Sequence, residues 1–294
     1  MAHAHYASVE SSWVSASLIL VALIYLRGWL RLRRLNLDGV QAWRAGGFML
    51  GLFLIWVAIA SPLSALDHEM LTAHMLQHLL LMTFASPLIL LGASVRTLLY
   101  GLPHRLVQVM GRAFQSTGLH QVWSALTHPV VCWLGAASTL VAWHIPAVFV
   151  LGLRSQMWHG IEQVSFLASG LLFWWPVVQP WRSASKWPES SLLVYLFLAT
   201  VPCDILSGFL VFCERVVYPV YFSSSQPFGL SALEDQQCAG ALMWTCVTVV
   251  YLIAGAIVTA RLLSSRGSQE YVIWQSEAQP IALPKSDAHR MEAL

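Results

Sequence analysis

Charged residues are scarce in this sequence. Only 10% of its 294 residues are Asp, Glu, Lys or Arg, whereas a soluble domain contains about 25%. Hydrophobic residues make up 57% of the chain. This composition excludes an ordinary soluble domain and is typical of a protein with several membrane-spanning helices.

Cysteine pairs and catalytic motifs are also missing. The five cysteines include no CxxC spacing, so the sequence indicates neither a thiolate zinc site nor a disulfide framework. It contains no HExxH, no glycine-rich phosphate loop and no GxSxG elbow, and we predict that the chain is not an enzyme. Its first residues, MAHAHYASVESS, lack the basic start and cleavage pattern of a signal peptide. We therefore expect the first apolar run to be a retained span.

Long apolar runs are what the sequence does contain. Seven of them approach the roughly 20 residues that a helix needs to cross a bilayer. We therefore predict an all-α fold, a seven-transmembrane-helix bundle, formed by residues 1–266 as a single domain. Residues 267–294 are polar and are expected to be a mobile cytoplasmic tail. The predicted spans lie near 12–30, 44–60, 68–92, 129–151, 157–178, 190–213 and 238–262.

The basic residues are distributed unevenly between the connections. Of the 16 lysines and arginines, only Arg154 and Arg215 fall outside the connections after spans one, three and five and the tail. Basic residues near span ends are concentrated on the cytoplasmic side of a membrane. This pattern predicts a periplasmic N-terminus and a cytoplasmic C-terminus.

The third span opens with an unusual sequence, DHEMLTAHMLQH, over residues 67–78. At about 100° per residue, a continuous helix would place Asp67, Met70, His74 and His78 in one stripe. Ionisable groups are costly in lipid, so this stripe is expected to face a protein interior or a wet cavity. The i,i+4 histidines present two imidazoles from one helical face, and imidazole beside thioether favours a transition metal, copper above all.

In the predicted topology, histidines from three spans meet in the outer half of the bundle. A lone membrane histidine is more often a hydrogen-bonding strut between helices than a metal ligand, and a methionine at helical spacing more often packs than binds metal. The clustering at one depth is what indicates a metal site. The candidate metal residues are His68, His74, His78, His144, His159, Met70 and Asp235, and the candidates for orienting them or attracting the ion are Asp67, Glu162, Gln77 and Met243.

Two other functions stay open from the residues alone. In a b-type haem protein, histidines from facing helices serve as axial ligands. The concentration of histidines on one helix, with carboxylates and methionines, favours a bare metal ion instead. In a structural assembly scaffold, the histidines would only connect helices and the chain would hold an oxidase subunit or another protein.

Several motifs, in the same order along the chain, resemble the polytopic CtaG family of cytochrome c oxidase assembly factors. The similarity covers spans two to seven, roughly residues 45–262. The motifs are HMLQHLLL from His74, SPL from Ser86, HP at His128, WHIP from Trp143, WH at Trp158, FWWPV from Phe173 and DQQCAGALMW from Asp235.

The resemblance implies a multi-pass protein of the bacterial inner membrane that helps to mature haem–copper oxidase by supplying copper. It implies functional roles for His74, His78, His144, His159 and Asp235, which lie inside matching motifs. We expect Cu(I) to be held by the i,i+4 histidines, with His144 or a methionine as a further ligand. Expected partners are cytochrome c oxidase subunits, a periplasmic copper chaperone and membrane lipid, with no nucleic acid. Which copper centre of the oxidase is served stays open.

Overall fold

The computed structural model describes residues 2–35, 41–92, 94–114, 117–178, 188, 190–223 and 228–278. These ranges are helical and contain no strand. The α-helices are α1 (Ala2–Arg34), α2 (Ala42–Ala60), α3 (Leu63–Leu66), α4 (Leu71–Leu79), α5 (Ser86–Leu91), α6 (Ser94–Gly101), α7 (His104–Phe114), α8 (Thr117–Leu126), α9 (Pro129–His144), α10 (Pro146–Arg154), α11 (Gln156–Val178), α12 (Ser191–Phe212) and α13 (Ala232–Ala278), with a π-helical segment at Leu80–Ala85 and a 3-10 helix at Pro219–Ser223.

The predicted membrane spans correspond to helices in this fold. Six helical segments of the described chain are long and apolar enough to cross a membrane, and α9 with α10 makes a seventh if the bent pair is one span. The predicted orientation of the termini stays a prediction. The segment predicted as a tail begins inside α13, and residues 279–294 lie outside the described residues.

The third span occupies the centre of the bundle. It consists of α4, the π-helical segment and α5. In its most apolar stretch 56% of the residues are buried, whereas the corresponding value for the span of α1 is 11%. It packs against α2, α11 and α13. A polar helix can therefore lie at membrane depth here, because its neighbours are protein rather than lipid.

Two hydrophobic clusters meet along this central span. One contains the buried aromatic rings of Phe173, Tyr195 and Tyr251 from α11, α12 and α13. The other is built mainly from α1 and α2, where the rings of Tyr25 and Phe48 stack with their centroids 3.9 Å apart. Both clusters contact Met82 in the π-helical segment.

The fourth predicted span, 129–151, is broken rather than continuous. α9 and α10 are bent by 78° relative to one another. Ile145 between them has extended backbone, with φ −66° and ψ 124°, because a residue that precedes proline is disfavoured in the α conformation. Pro146 then begins α10, where its missing N–H costs no hydrogen bond. The break leaves His144 at the end of a helix.

The prediction that one continuous helix carries Asp67, Met70, His74 and His78 in a stripe is wrong. α3 ends at Leu66 and α4 begins only at Leu71. Met70 between them is extended, with φ −140° and ψ 130°. Only His74 and His78 lie on the same helix in the predicted i,i+4 spacing. Asp67 and Met70 lie in the non-helical connection between α3 and α4.

Candidate metal centre

Three ligand atoms from two helices converge beside α4. His74 Nε2 and His78 Nε2 are 2.8 Å apart. Glu162 Oε1 of α11 lies 3.4 Å from the first nitrogen and 3.2 Å from the second. A point between three such atoms can lie about 2 Å from each, close to the bond lengths of zinc with histidine and carboxylate. This arrangement has the dimensions of a three-ligand metal site.

His159 joins a second carboxylate to this group. Its Nε2 lies 3.0 Å from Asp67 Oδ2 and its Nδ1 lies 3.5 Å from Glu162 Oε2. Ligand atoms of Asp67, His74 and His159 all lie within 4.8 Å of one another, which makes a second possible metal group. We refer to Asp67, His74, His78, His159 and Glu162 together as the histidine–carboxylate cluster.

The two carboxylates of the cluster are fully buried, and among the residues that the structure describes they pair only with imidazoles. Asp67 and Glu162 are 0% and 1% exposed, and within the described residues their side-chain oxygens make no hydrogen bond of regular geometry. Burial tends to raise the pKa of Asp67, but the interaction with His159 and the charges of His159, His68 and His74 lower this pKa below its ordinary value. Buried charges are costly unless they are paired. The cluster is therefore suited to a cation.

Aromatic rings and a glycine enclose the cluster. Phe166 stacks on His78 with ring centroids 4.0 Å apart, and Phe149 meets His74 edge-on at 4.8 Å. Gly152 of α10 allows Glu162 to come close, since a Cβ at this position would lie 2.8 Å from Oε2. These contacts bury the ligand atoms and restrict the positions of the side chains that carry them.

His68 connects the cluster to the surface. Its side chain is 54% exposed, and its Nε2 lies 3.5 Å from Asp67 Oδ1. Asp67 in turn contacts His159 inside the cluster. A cation arriving from solvent can therefore meet the exposed imidazole first and then the buried carboxylate.

Asp235 holds the N-terminus of α4 from outside that helix. Its carboxylate accepts hydrogen bonds from Leu71 N at 2.6 Å and from Thr72 N at 3.1 Å, and the Thr72 hydroxyl donates to it at 2.6 Å. A carboxylate at a helix N-terminus pairs with its unsatisfied N–H groups and its dipole. The structure does not bring Asp235 into the cluster, and the contacts it makes position the helix that carries the histidines.

The next residue of the same motif holds the loop before α13. The Gln236 side chain accepts a hydrogen bond from Val217 N at 2.7 Å and donates to Leu210 O and Arg215 O. That loop carries two buried tyrosines. Tyr221 donates to the main-chain oxygen of Asp67 at 2.8 Å, and Tyr218 donates to that of His144 at 2.9 Å.

The other candidate residues lie outside the cluster. His144 Nε2 lies 3.2 Å from Met75 Sδ, and Met243 lines a cavity shared with both residues. Met70 lies beside Tyr221 and Asp235 at a small cavity. Gln77 is completely buried, and its amide has no hydrogen-bond partner among the described residues.

A comparison with protein families identifies the chain. The sequence model of the family described as cytochrome c oxidase caa3 assembly factor, Caa3_CtaG, matches residues 23–265. The chain belongs to this family. The match confirms the resemblance drawn from the sequence motifs and covers all of the described membrane-spanning helices, at least in part. Membership and the apolar helices together indicate a multi-pass membrane protein.

Mycobacterial proteins are among the relatives of this Caa3_CtaG chain. Uncharacterized protein Mb0105 of Mycobacterium bovis and uncharacterized protein MT0111 of Mycobacterium tuberculosis are each 26% identical over 263 residues, which is 84% of this chain and 38% of theirs. Uncharacterized protein ML1998 of Mycobacterium leprae is 24% identical over 256 residues, 82% of this chain and 37% of its own. The chain thus spans well under half the length of these relatives. No solved structure matches it.

Proposed function

We propose that the chain binds copper at the histidine–carboxylate cluster and passes it to a haem–copper cytochrome c oxidase during assembly. Membership of a family of oxidase assembly factors supports the oxidase as recipient. The observation that carries the copper assignment is the convergence of His74 Nε2, His78 Nε2 and Glu162 Oε1 within 3.4 Å of one another. Imidazole is a ligand of copper as well as of zinc, iron and nickel.

The number of ligands fits a role in delivery. Structural metal sites are commonly closed by four protein ligands, whereas a site with three leaves a position for an exchanging ligand. Asp67 and His159 lie next to the three ligand atoms, where they attract the cation and orient the imidazoles. The chain itself performs no catalytic step in this proposal, and copper is its cargo.

The membrane arrangement follows from the basic residues. With Arg-rich connections in the cytoplasm, the N-terminus and the cluster lie on the periplasmic side of the bacterial inner membrane, and the C-terminus lies in the cytoplasm. His68 then faces the periplasm, where a copper chaperone would donate the ion. Subunits of the oxidase would accept it at the same membrane face.

The cluster geometry does not favour a haem. Axial ligands bind haem iron from opposite faces of the porphyrin. His74 Nε2 and His78 Nε2, at 2.8 Å, are too close together to lie on opposite faces. An absorption spectrum of the purified protein checks this directly, since a haem protein would show a strong Soret band.

The test is the copper content of the purified full-length protein in detergent. We expect the double variant His74→Ala, His78→Ala to bind less copper than the wild type, whereas His104→Ala, at an exposed histidine that begins α7, should keep the full copper content. Oxidase purified from cells carrying the double variant should contain less copper. Full copper loading of the double variant would overturn the assignment of copper to these histidines and would favour a metal-free assembly scaffold.

A further inference from the structure

A second set of metal-binding side chains lies inward of the histidine–carboxylate cluster. It surrounds a cavity between the central span and α9, α11, α12 and α13. We refer to this space as the sulfur-lined cavity. Its side chains with nitrogen or sulfur donors are His78, His144, Met75, Met82, Met243 and Cys203.

The tautomer of His144 leaves Nε2 as the ring nitrogen that can bind a metal. Its Nδ1 lies 2.7 Å from Leu140 O, and since a carbonyl oxygen can only accept, Nδ1 must carry the hydrogen. The neutral imidazole therefore has its lone pair on Nε2. A histidine whose Nδ1–H is held by a backbone carbonyl while Nε2 is free has the usual arrangement of a metal ligand.

The partner of that nitrogen is a sulfur atom rather than a hydrogen-bond donor. His144 Nε2 lies 3.2 Å from Met75 Sδ, and both side chains are buried. Two lone pairs that face each other repel unless a cation or a proton lies between them. A proton would create a buried imidazolium, and no carboxylate of the described residues lies within ion-pair distance of His144. Such an unpaired charge is costly.

We infer that His144 Nε2 and Met75 Sδ form a second copper position that is selective for Cu(I). Zinc bonds to nitrogen and sulfur are about 2.0 and 2.3 Å long, so donor atoms 3.2 Å apart can share one metal ion. Thioether and thiol ligands select Cu(I), whereas carboxylates suit harder ions. This inference rests on the proposed function only for the identity of the cargo.

His78 connects the two positions. It belongs to the histidine–carboxylate cluster and also lines the sulfur-lined cavity. In this inference, His78 is the imidazole that the two positions share. Met243 and Cys203, which are 3% and 4% exposed, lie along the same cavity and are the next donors available.

The experiment is copper K-edge X-ray absorption on the full-length protein loaded anaerobically with Cu(I), together with Cu(I) affinity in competition with a chelator. The wild type should show a sulfur neighbour. Met75→Leu should remove that sulfur signal and weaken Cu(I) binding by at least about tenfold, since even residues that only orient a ligand contribute about 10- to 100-fold. Met49→Leu, at a half-buried methionine of α2, is the matched control and should change neither.

The outcomes separate this inference from the proposed function. A wild-type protein that binds copper through nitrogen and oxygen alone, with Met75→Leu unchanged, would overturn the sulfur position and leave the proposed function intact. Absence of any copper binding by the wild type would overturn both. Zn²⁺ serves as a divalent probe of the cluster, since imidazole and carboxylate both bind it. Glu162→Gln provides a further check, because it should weaken Zn²⁺ binding there while the Cu(I) sulfur signal persists.

Discussion

The histidine–carboxylate cluster and the sulfur-lined cavity both use α4 but differ in charge. The cluster contains two buried carboxylates, Asp67 and Glu162, whereas the donors of the cavity are neutral imidazole, thioether and thiol groups. Carboxylates suit hard and divalent ions, and sulfur suits Cu(I). In the proposed function, this difference would sort ions by ligand chemistry between two regions that share one helix.

The two regions are also reached differently. The cluster communicates with the surface through His68, which is half exposed. The cavity shares His78 with the cluster. In the proposed function, the carboxylates would attract the ion where it enters, and the sulfur donors would select Cu(I) deeper in the protein.

The largest effect that separates the two regions is expected from removing a cluster carboxylate. Glu162→Ala leaves three imidazoles without their shared partner, and removing one member of a buried ion pair costs about 3–5 kcal/mol. Met75→Leu in the cavity conserves volume and should cost less than about 1.5 kcal/mol. Both values are measured as the free energy of unfolding in detergent with a chelator present. Equal losses would mean that the carboxylate is not paired in the metal-free protein.

A smaller but still clear effect is expected at the glycine beside the cluster. In Gly152→Ala, the new methyl group would lie 2.8 Å from Glu162 Oε2, and overpacking of this kind costs about 1–3 kcal/mol. Zn²⁺ affinity should fall because the carboxylate is displaced, while the Cu(I) sulfur signal stays. Gly160→Ala is the control, since, apart from the chain neighbours and the backbone of α11 itself, no atom of the described residues lies within 4 Å of a Cβ at that position. Similar behaviour of the two variants would contradict the close approach.

Variants of Asp235 test whether metal binding at the cluster depends on the hydrogen bonds at the N-terminus of α4. Asp235→Ala removes the carboxylate from the N-terminus of α4, and loss of a helix cap costs about 0.5–2 kcal/mol. Metal affinity at the cluster should fall by about 10- to 100-fold, as for other orienting residues, and Asp235→Asn should restore part of it. Glu234→Ala is the matched control because that carboxylate accepts hydrogen bonds only from Ser231 among the described residues. Equal metal affinity in the two alanine variants would show that Asp235 does not position the cluster.

The sequence was sufficient to predict which residues belong to the candidate site, but it did not predict how all of them are arranged in space. The i,i+4 spacing of His74 and His78 was sufficient, because α4 is regular over both residues. The same periodicity failed for Asp67 and Met70, since the helix begins later. Asp67 still reaches the cluster, but it does so through the connection between α3 and α4 and through contact with His159. Hydropathy and helical period carry no information about such a contact.

The break in the fourth span has a signal in the local sequence, whereas the roles of Gly152 and His144 have none. The Ile145-Pro146 pair indicates the break that separates α9 from α10, because proline disfavours the α conformation in the residue before it. The role of Gly152 depends on its approach to a side chain of another helix and has no local signature. The separation of His144 from the cluster, and its pairing with Met75, depend on side-chain direction at the break between α9 and α10.

The smallest effects, and the sharpest comparison, are expected from two tyrosines of one loop. Tyr221 donates to the main chain at Asp67, and Tyr218 donates to it at His144. Each tyrosine-to-phenylalanine change removes the hydrogen bond from the hydroxyl to that main-chain oxygen, and a hydrogen bond contributes about 0.5–1.5 kcal/mol. Tyr221→Phe should weaken Zn²⁺ binding at the cluster more than Cu(I) binding, and Tyr218→Phe should do the reverse. Because the variants lose the same chemical group from the same loop, each is the control for the other. If both variants weakened the binding of the two ions equally, the cluster and the cavity would behave as one site, and the proposed division between them would be wrong.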